Sequence, residues 1–280
     1  TAPGGGGDVF CRPVAKVLQE MWGKPVVVDN RPGGSGAVSL QLVSESRPDG
    51  HTLLALTNTH LITALRSNIP KTVSDLQPVS RLLLEGVLLY VKQESKWTAE
   101  SFLEALFKGT VNVKIGSSQA GTPDSMAIET LAKKYKGKIN MVVYPDSNKA
   151  IVGVLGGDID AATSEISEIK PQLDAKKLKV LLTFNSKRIP AFPNVPTFVE
   201  KGYPEVVIDK FRGFAAPKNT PPEAIKALEE AFRKVLDNAE YKKTLANAEQ
   251  IPAYQNATDF QKFITDTENF YKVSLAAEKK

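Results

Sequence analysis

Short runs of β-branched and aliphatic residues alternate with stretches of helical periodicity along most of this 280-residue chain. Residues 25–29, 52–57, 87–91, 112–116, 140–144, 159–163 and 180–184 are rich in Val, Ile and Leu. Several are nearly unbroken apolar runs, as strands buried on both faces should be. Between them, residues 8–22, 36–46, 98–107, 123–135 and 147–155 follow helical spacing. This alternation predicts a mostly parallel sheet with helices on both faces. The C-terminal stretch differs. Thr220-Pro221-Pro222-Glu223 reads as a capping box, and the helix after it places Ile225, Leu228, Phe232 and Leu236 at helical spacing. Thr258-Asp259-Phe260-Gln261 reads as a second box, ahead of Phe260, Phe263, Ile264, Phe270 and Tyr271. Such helices must pack on something already built. The expected organisation is a discontinuous first lobe, residues 1–95 plus 214–280, and a second lobe, residues 96–213. Crossings near residues 92–97 and 212–217 would act as the hinge.

Composition narrows the class. A hydrophobic content of 42% with 24% charged residues is ordinary for a globular chain. No apolar run approaches the ~20 residues of a membrane span, since the longest, around residues 82–91, is broken by Glu85 and Gly86. The net charge of +5 comes from 36 basic and 31 acidic residues spread along the chain. A nucleic-acid binder concentrates its charge in a stripe, and no stripe is visible. The mild positive excess slightly favours an anionic small ligand. The single cysteine, Cys11, permits no intramolecular disulfide. With His51 and His60 it makes no zinc constellation, and His51, just ahead of a strand, reads as structural. Neither Gly34-Ser35-Gly36 nor Gly116-Ser117-Ser118 spells a nucleophile elbow. The expectation is therefore no catalytic residue, no cofactor and no metal. The chain opens abruptly on Thr1-Ala2-Pro3-Gly4 with no strand ahead of the glycines. That reads as a start cut into a longer protein, so the lack of a visible signal peptide says little.

Three segments could hold a ligand. Gly4-Gly5-Gly6-Gly7-Asp8 precedes a helix, and glycines without Cβ let several N–H groups face one concavity. Asp8 suits an N-cap, and a helix N-terminus is a ready anion site. Pro13 removes a donor within the second turn, so the regular helix is expected to begin later than Asp8 suggests. Asn30-Arg31-Pro32-Gly33-Gly34-Ser35-Gly36 has neither the spacing of a dinucleotide fingerprint nor the Lys of a phosphate loop. It fits a ligand-lining turn as well as a tight connection. Gly116-Ser117-Ser118-Gln119-Ala120-Gly121-Thr122-Pro123 offers hydroxyls beside a helix start, with Thr122 as cap and Pro123 at N1.

Taken in order, these segments resemble the Bug (TctC-type) family of extracytoplasmic solute-binding proteins, which serve tripartite tricarboxylate transporters. The resemblance rests on Pro3–Asp8 with Arg12, on Pro25-Val26-Val27-Val28-Asp29-Asn30-Arg31-Pro32-Gly33 and on Pro48-Asp49-Gly50-His51-Thr52. It continues through Gly116-Ser117-Ser118, Gly156-Gly157-Asp158-Ile159-Asp160-Ala161 and Pro193-Asn194-Val195-Pro196-Thr197 to Gly213 and Pro217. It implies an α/β fold of the type II periplasmic-binding kind, two lobes closing on a ligand cleft. It implies a first strand ahead of this chain and a periplasmic location. It also implies a small carboxylate ligand, one carboxylate held by the loop at Gly4–Asp8 and the loop at Ser117–Ser125. The partners implied are a membrane permease and no nucleic acid, with the protein a monomer. The full ligand-binding set expected is Pro3, Gly4, Gly5, Gly6, Gly7, Asp8, Phe10, Thr57, Asn58, Ser117, Ser118, Gly121, Thr122, Tyr144, Ser164 and Glu165. Ser164-Glu165 and Asp146 depart from the residues frequent in the family, which suggests a neutral or cationic group at the far end of the ligand. Two other readings stay open: a sensory binding protein with a membrane signalling partner, and an enzyme that holds a phosphorylated metabolite.

Overall fold

A computed structural model describes residues 3, 6–108, 111–118, 123–128 and 139–278. In chain order its helices are α1 (Gly6–Trp22), α2 (Ala37–Ser44), α3 (Asn58–Arg66), α4 (Ala99–Lys108), α5 (Ser147–Gly156), α6 (Ile166–Asp174), α7 (Pro222–Asp237), α8 (Ala239–Asn247) and α9 (Ala257–Glu278). Residues 123–128 are also helical. The strands are β1 (Leu54–Thr57), β2 (Leu76–Glu85), β3 (Val87–Lys92), β4 (Val113–Ser118), β5 (Ile139–Tyr144), β6 (Ala161–Glu165), β7 (Leu178–Thr183), β8 (Lys210–Pro217) and β9 (Ile251–Gln255). They form two compact units. One comprises Thr1–Leu84, Phe211–Asn247 and Ile251–Lys280; the other comprises Glu85–Lys210 and Ala248–Gln250.

The first unit is built on a four-stranded sheet in the order β1-β8-β2-β9. β1 and β8 run antiparallel with Leu54 opposite Ala215 and Thr57 opposite Arg212. The core beneath joins Phe10, Val14, Val17 and Leu18 of α1 to Val79 and Leu83 of β2 and to Ile225, Phe232 and Val235 of α7. Phe214 stacks between Phe10 and Phe232, with ring centroids 5.1 and 4.6 Å away. That packing explains why α1 runs unbroken from Gly6 through Pro13, against the expectation of a later start. A proline inside a helix costs ~3 kcal/mol. Four apolar side chains buried at roughly 1.5–3 kcal/mol each outweigh it.

The second unit carries a five-stranded sheet in the order β5-β4-β6-β3-β7. β4 pairs in parallel with β5 and β6, whereas β3 pairs antiparallel with both β6 and β7. The sheet is therefore mixed, a correction to the expected mostly parallel one. Apolar periodicity reports burial, not direction, and β3 is buried along nearly its whole length whichever way its partners run. The expected lobe boundary at residue 95 would give β3 to the first unit. Its hydrogen bonds put it in the second.

Three strands escaped the periodicity analysis: β2, β8 and β9. Residues 25–29, expected as a strand, form no ladder among the described residues, and Val27 is exposed. A β-rich run becomes a strand only where a partner edge is available. The expected caps also move. Asp8 is the third residue of α1 and accepts from Arg12 Nε at 2.8 Å. Thr220 turns its hydroxyl back to the Pro217 carbonyl, leaving Pro221 as the uncapped N-cap of α7. Asn256, rather than Thr258, caps α9 by accepting from the Asp259 amide at 2.8 Å.

Gly213 sets how closely β8 approaches its neighbours. A Cβ there would lie 2.6 Å from the Ser80 carbonyl oxygen and 2.7 Å from the Phe260 ring. Neither can retreat cheaply, because one is backbone in β2 and the other a fully buried ring. Gly213→Ala is expected to destabilise the protein by about 2–3 kcal/mol through overpacking. Equilibrium urea unfolding reads this directly, and an unchanged midpoint would show that the sheet opens there without cost.

Candidate functional site

In the first unit, β8 carries a buried guanidinium beside the start of α3, close enough to α1 and α3 for its charge to reach Cys11 and His60. Arg212 is 7% exposed. Strand alternation puts its side chain on the face that carries Phe214, the face covered by α1. Register puts it beside Thr57, the residue that precedes α3. Its field is felt on both sides. Burial pushes the Cys11 thiol up to about 11, with Arg212 pulling the other way. Burial pushes His60 down to about 4, and Arg212 adds to that by opposing a second positive charge. Gly6 and Gly7 supply the first N–H groups of α1, where the helix dipole favours an anion.

His60 holds the opening of α3 in place. The Thr57 amide donates to Nδ1 at 3.2 Å, so Nδ1 is unprotonated and the neutral ring carries its hydrogen on Nε2, 3.4 Å from Ser39 Oγ. The ring lies flat against Gly36, whose φ of +94° suits glycine and where a Cβ would come within 2.8 Å of the imidazole. His60 thus carries the structural role expected of His51, which is exposed.

The second unit presents the carboxyl ends of three parallel strands along one edge. Ser117 and Ser118 of β4 lie beside Val143 and Tyr144 of β5, and β6 ends on Ser164 and Glu165. Ligands of open α/β sheets bind at such edges. Behind them sits an ionic cluster that the sequence analysis did not assemble. Lys210 Nζ lies 2.8 Å from Asp124 Oδ1 and 3.3 Å from Glu165 Oε1. Thr163 Oγ1 donates to the other Asp124 oxygen at 3.1 Å. Burial opposes the ammonium, yet Asp124 and then Glu165 hold its pKa above the usual lysine range. Glu168 accepts from Ser147 Oγ at 2.7 Å and from the Glu165 amide at 3.1 Å. Burial, and then the Glu165 charge, raise its carboxyl above the usual range.

Several expected ligand residues have protein partners. Phe10 belongs to the core stack. Asn58 donates to Tyr271 Oη and accepts from the Phe211 amide, both at 2.8 Å. Ser164 shares a hydrogen bond with Tyr90 Oη at 3.2 Å. The Tyr144 ring fills space left by Gly116 and Gly153, since a Cβ on Gly153 would be 2.5 Å from the phenol oxygen. Asp146 caps α5, accepting from the Lys149 amide. Pro3 lies in an exposed turn, and Gly4, Gly5, Gly121 and Thr122 lie outside the described residues. Arg212 and Lys210 were missed because β8 was read as a crossing. The signal was short: Lys210-Phe211-Arg212 alternates basic and aromatic residues, and Phe214 then shares the face of Arg212. Among the described residues, no group of three or more His, Cys, Asp or Glu side chains could hold a metal ion. No helix among them is long and apolar enough to cross a membrane.

The family model for TctC, the tripartite tricarboxylate transporter family receptor, matches residues 10–276. BugT of Bordetella pertussis is 30% identical over 269 residues, which cover 94% of this chain and 82% of BugT. A TctC solute-binding protein from Polaromonas shares the fold with a TM-score of 0.84 at 27% identity, covering 99% of this chain and 95% of that one. The R. palustris protein Rpa4515, solved with adipate, has a TM-score of 0.84 at 22% identity over 98% of this chain and 93% of its own. At that identity it speaks for the fold alone. The expected fold class, α/β with two lobes as in periplasmic binding proteins, is the fold of this chain.

The buried His60 makes stability depend on pH. In the unfolded chain it takes a proton below its ordinary 6.5, whereas the folded protein refuses that proton down to about 4. Stability is therefore lost as pH falls through that window, by on the order of 3 kcal/mol for this one group. Urea midpoints measured between pH 7 and 4.5 should fall less steeply for His60→Gln than for the parent. Parallel curves would assign the acid sensitivity elsewhere.

Proposed function

This chain belongs to the TctC family of tripartite tricarboxylate transporter receptors, and from that premise we propose that it captures a small organic carboxylate in the periplasm and delivers it to a membrane permease of the same transporter type. The family is one of solute-binding proteins, not of enzymes. The reading draws above all on the buried Arg212, beside the start of α3 and within electrostatic reach of α1. A guanidinium near a helix start is a place where an anion can be held by charge and by N–H groups together. The start of α3 at Thr57 and Asn58 adds a second favourable dipole. A phosphate loop would need a lysine directly after the glycines, and none follows. The adipate bound to Rpa4515 agrees with a carboxylate ligand.

Thermal-shift screening tests the ligand class, because a ligand that binds only the native state raises the melting temperature by mass action. Short organic carboxylates should give the largest shifts, with nucleotides and inorganic phosphate giving none. Arg212→Gln removes a charge-assisted hydrogen bond worth ~1.5–3 kcal/mol. It should weaken carboxylate binding about tenfold or more by calorimetry, while circular dichroism shows the fold retained. Larger shifts with phosphorylated compounds, or an unchanged Kd in Arg212→Gln, would overturn the assignment.

A further inference from the structure

We propose that a lysine-bearing corner of the second unit, formed by the turns at residues 92–97 and 174–179, is a docking surface for an anionic phospholipid bilayer. The inference is independent of which solute the protein binds.

The two turns are far apart in the chain, and the sheet brings them together. In the ladder between β3 and β7, Val91 stands opposite Lys179 and Lys92 opposite Leu178. Beyond the ladder the Gln93 amide donates to the Lys177 carbonyl at 2.9 Å, and Lys179 Nζ donates to the Ser95 carbonyl at 2.5 Å. The corner thus gathers Lys92, Lys96, Lys176, Lys177 and Lys179. Against them stand two acidic residues, Glu94 and Asp174, for a net charge of +3, where the whole chain carries +5. Along the sequence this concentration is hidden, because each turn by itself shows only two or three lysines.

These charges are available. Lys92, Lys96, Lys176 and Lys177 are exposed. None of the five lysines is paired with a carboxylate among the described residues. Elsewhere Lys16, Lys170, Lys201, Lys210, Lys242 and Lys262 each have an acidic partner. Asp174 is already held by Lys170 at 3.2 Å. On the other flank of β3, Asp160 has a carboxylate oxygen engaged by the Lys114 amide at 2.8 Å. Like charges gathered without counterions repel one another, and an anionic surface relieves that repulsion.

Lys176 is a second and independent sign. Its φ of +53° lies in the left-handed region, where a Cβ is a disadvantage and glycine or asparagine is the usual choice. A lysine at that position places charge ahead of local backbone preference, as binding surfaces do.

The chemistry favours lipid over a protein partner. No arginine stands in either turn. The corner therefore lacks the planar fork that selects individual carboxylates, and lysines on flexible stems suit a diffuse anionic surface. Trp97 closes the first turn, half-buried, with its ring edge-on to Phe102 at 5.5 Å. An indole with one wet side is the aromatic that settles at the boundary between head groups and acyl chains.

The test is vesicle co-sedimentation of the full chain. Phosphatidylcholine vesicles are compared with vesicles carrying roughly one third phosphatidylglycerol, at low and at physiological salt. At low salt the parent should partition about tenfold or more in favour of the anionic vesicles, and added salt should remove most of that preference. A variant with Lys92→Gln, Lys96→Gln, Lys176→Asn and Lys177→Gln should lose about tenfold or more of the binding, with its fold retained by circular dichroism. A control with Lys218→Gln, Lys226→Gln, Lys234→Gln and Lys243→Gln removes the same charge from exposed positions of the first unit. It should lose less than about threefold. No preference of the parent for anionic vesicles, or equal losses in the two variants, overturns the proposal. So does corner-dependent binding to soluble polyglutamate that is tighter than binding to the vesicles, which would assign the corner to an acidic protein instead.

Discussion

Lys210 and Asp124 are each buried, and neither charge is tolerable there without the other. Their 2.8 Å contact is the constraint around which the second unit's functional edge is arranged. It fixes the first residue of β8, brings the helical turn at residues 123–128 against the end of β6, and gives Glu165 a defined neighbour. Replacing such a pair with apolar groups of similar shape is often neutral for stability. What the pair contributes is position. It keeps an ammonium between Asp124 and Glu165 at the end of β6.

The first unit buries a guanidinium, Arg212, beside the start of α3. Arg212 sits on a strand that is apolar beyond it, and α1 keeps its proline because the aromatic stack of Phe10, Phe214 and Phe232 holds the helix down. Gly213 separates the two basic residues of β8 from the rest of the strand and lets the chain pass within contact of the β2 backbone. A strand of eight residues thus carries a structural glycine, a core aromatic, the cation of one unit's site and the cation of the other's.

Three of the titratable groups with displaced pKa values, His60, Glu168 and Lys210, are each locked to a neighbouring backbone or side chain. The family to which the chain belongs is one of solute-binding proteins.

The sequence alone determined the element types of the long runs, the two-part organisation and the family, because burial on both faces leaves an unbroken apolar run and glycine clusters mark places where backbone must be bare. It located Ser117, Ser164 and Glu165 as residues at strand ends. It could not show that Asn58 and Tyr144 have side chains engaged with the protein, nor that residues 25–29 lack a ladder, since both depend on what lies across from them. It missed β8 and with it Arg212 and Lys210. Strand direction, register and the pairing of residues 86 positions apart, as Asp124 and Lys210 are, belong to tertiary structure. An isolated lysine or aspartate in a sequence is a solvated charge until the fold takes its water away.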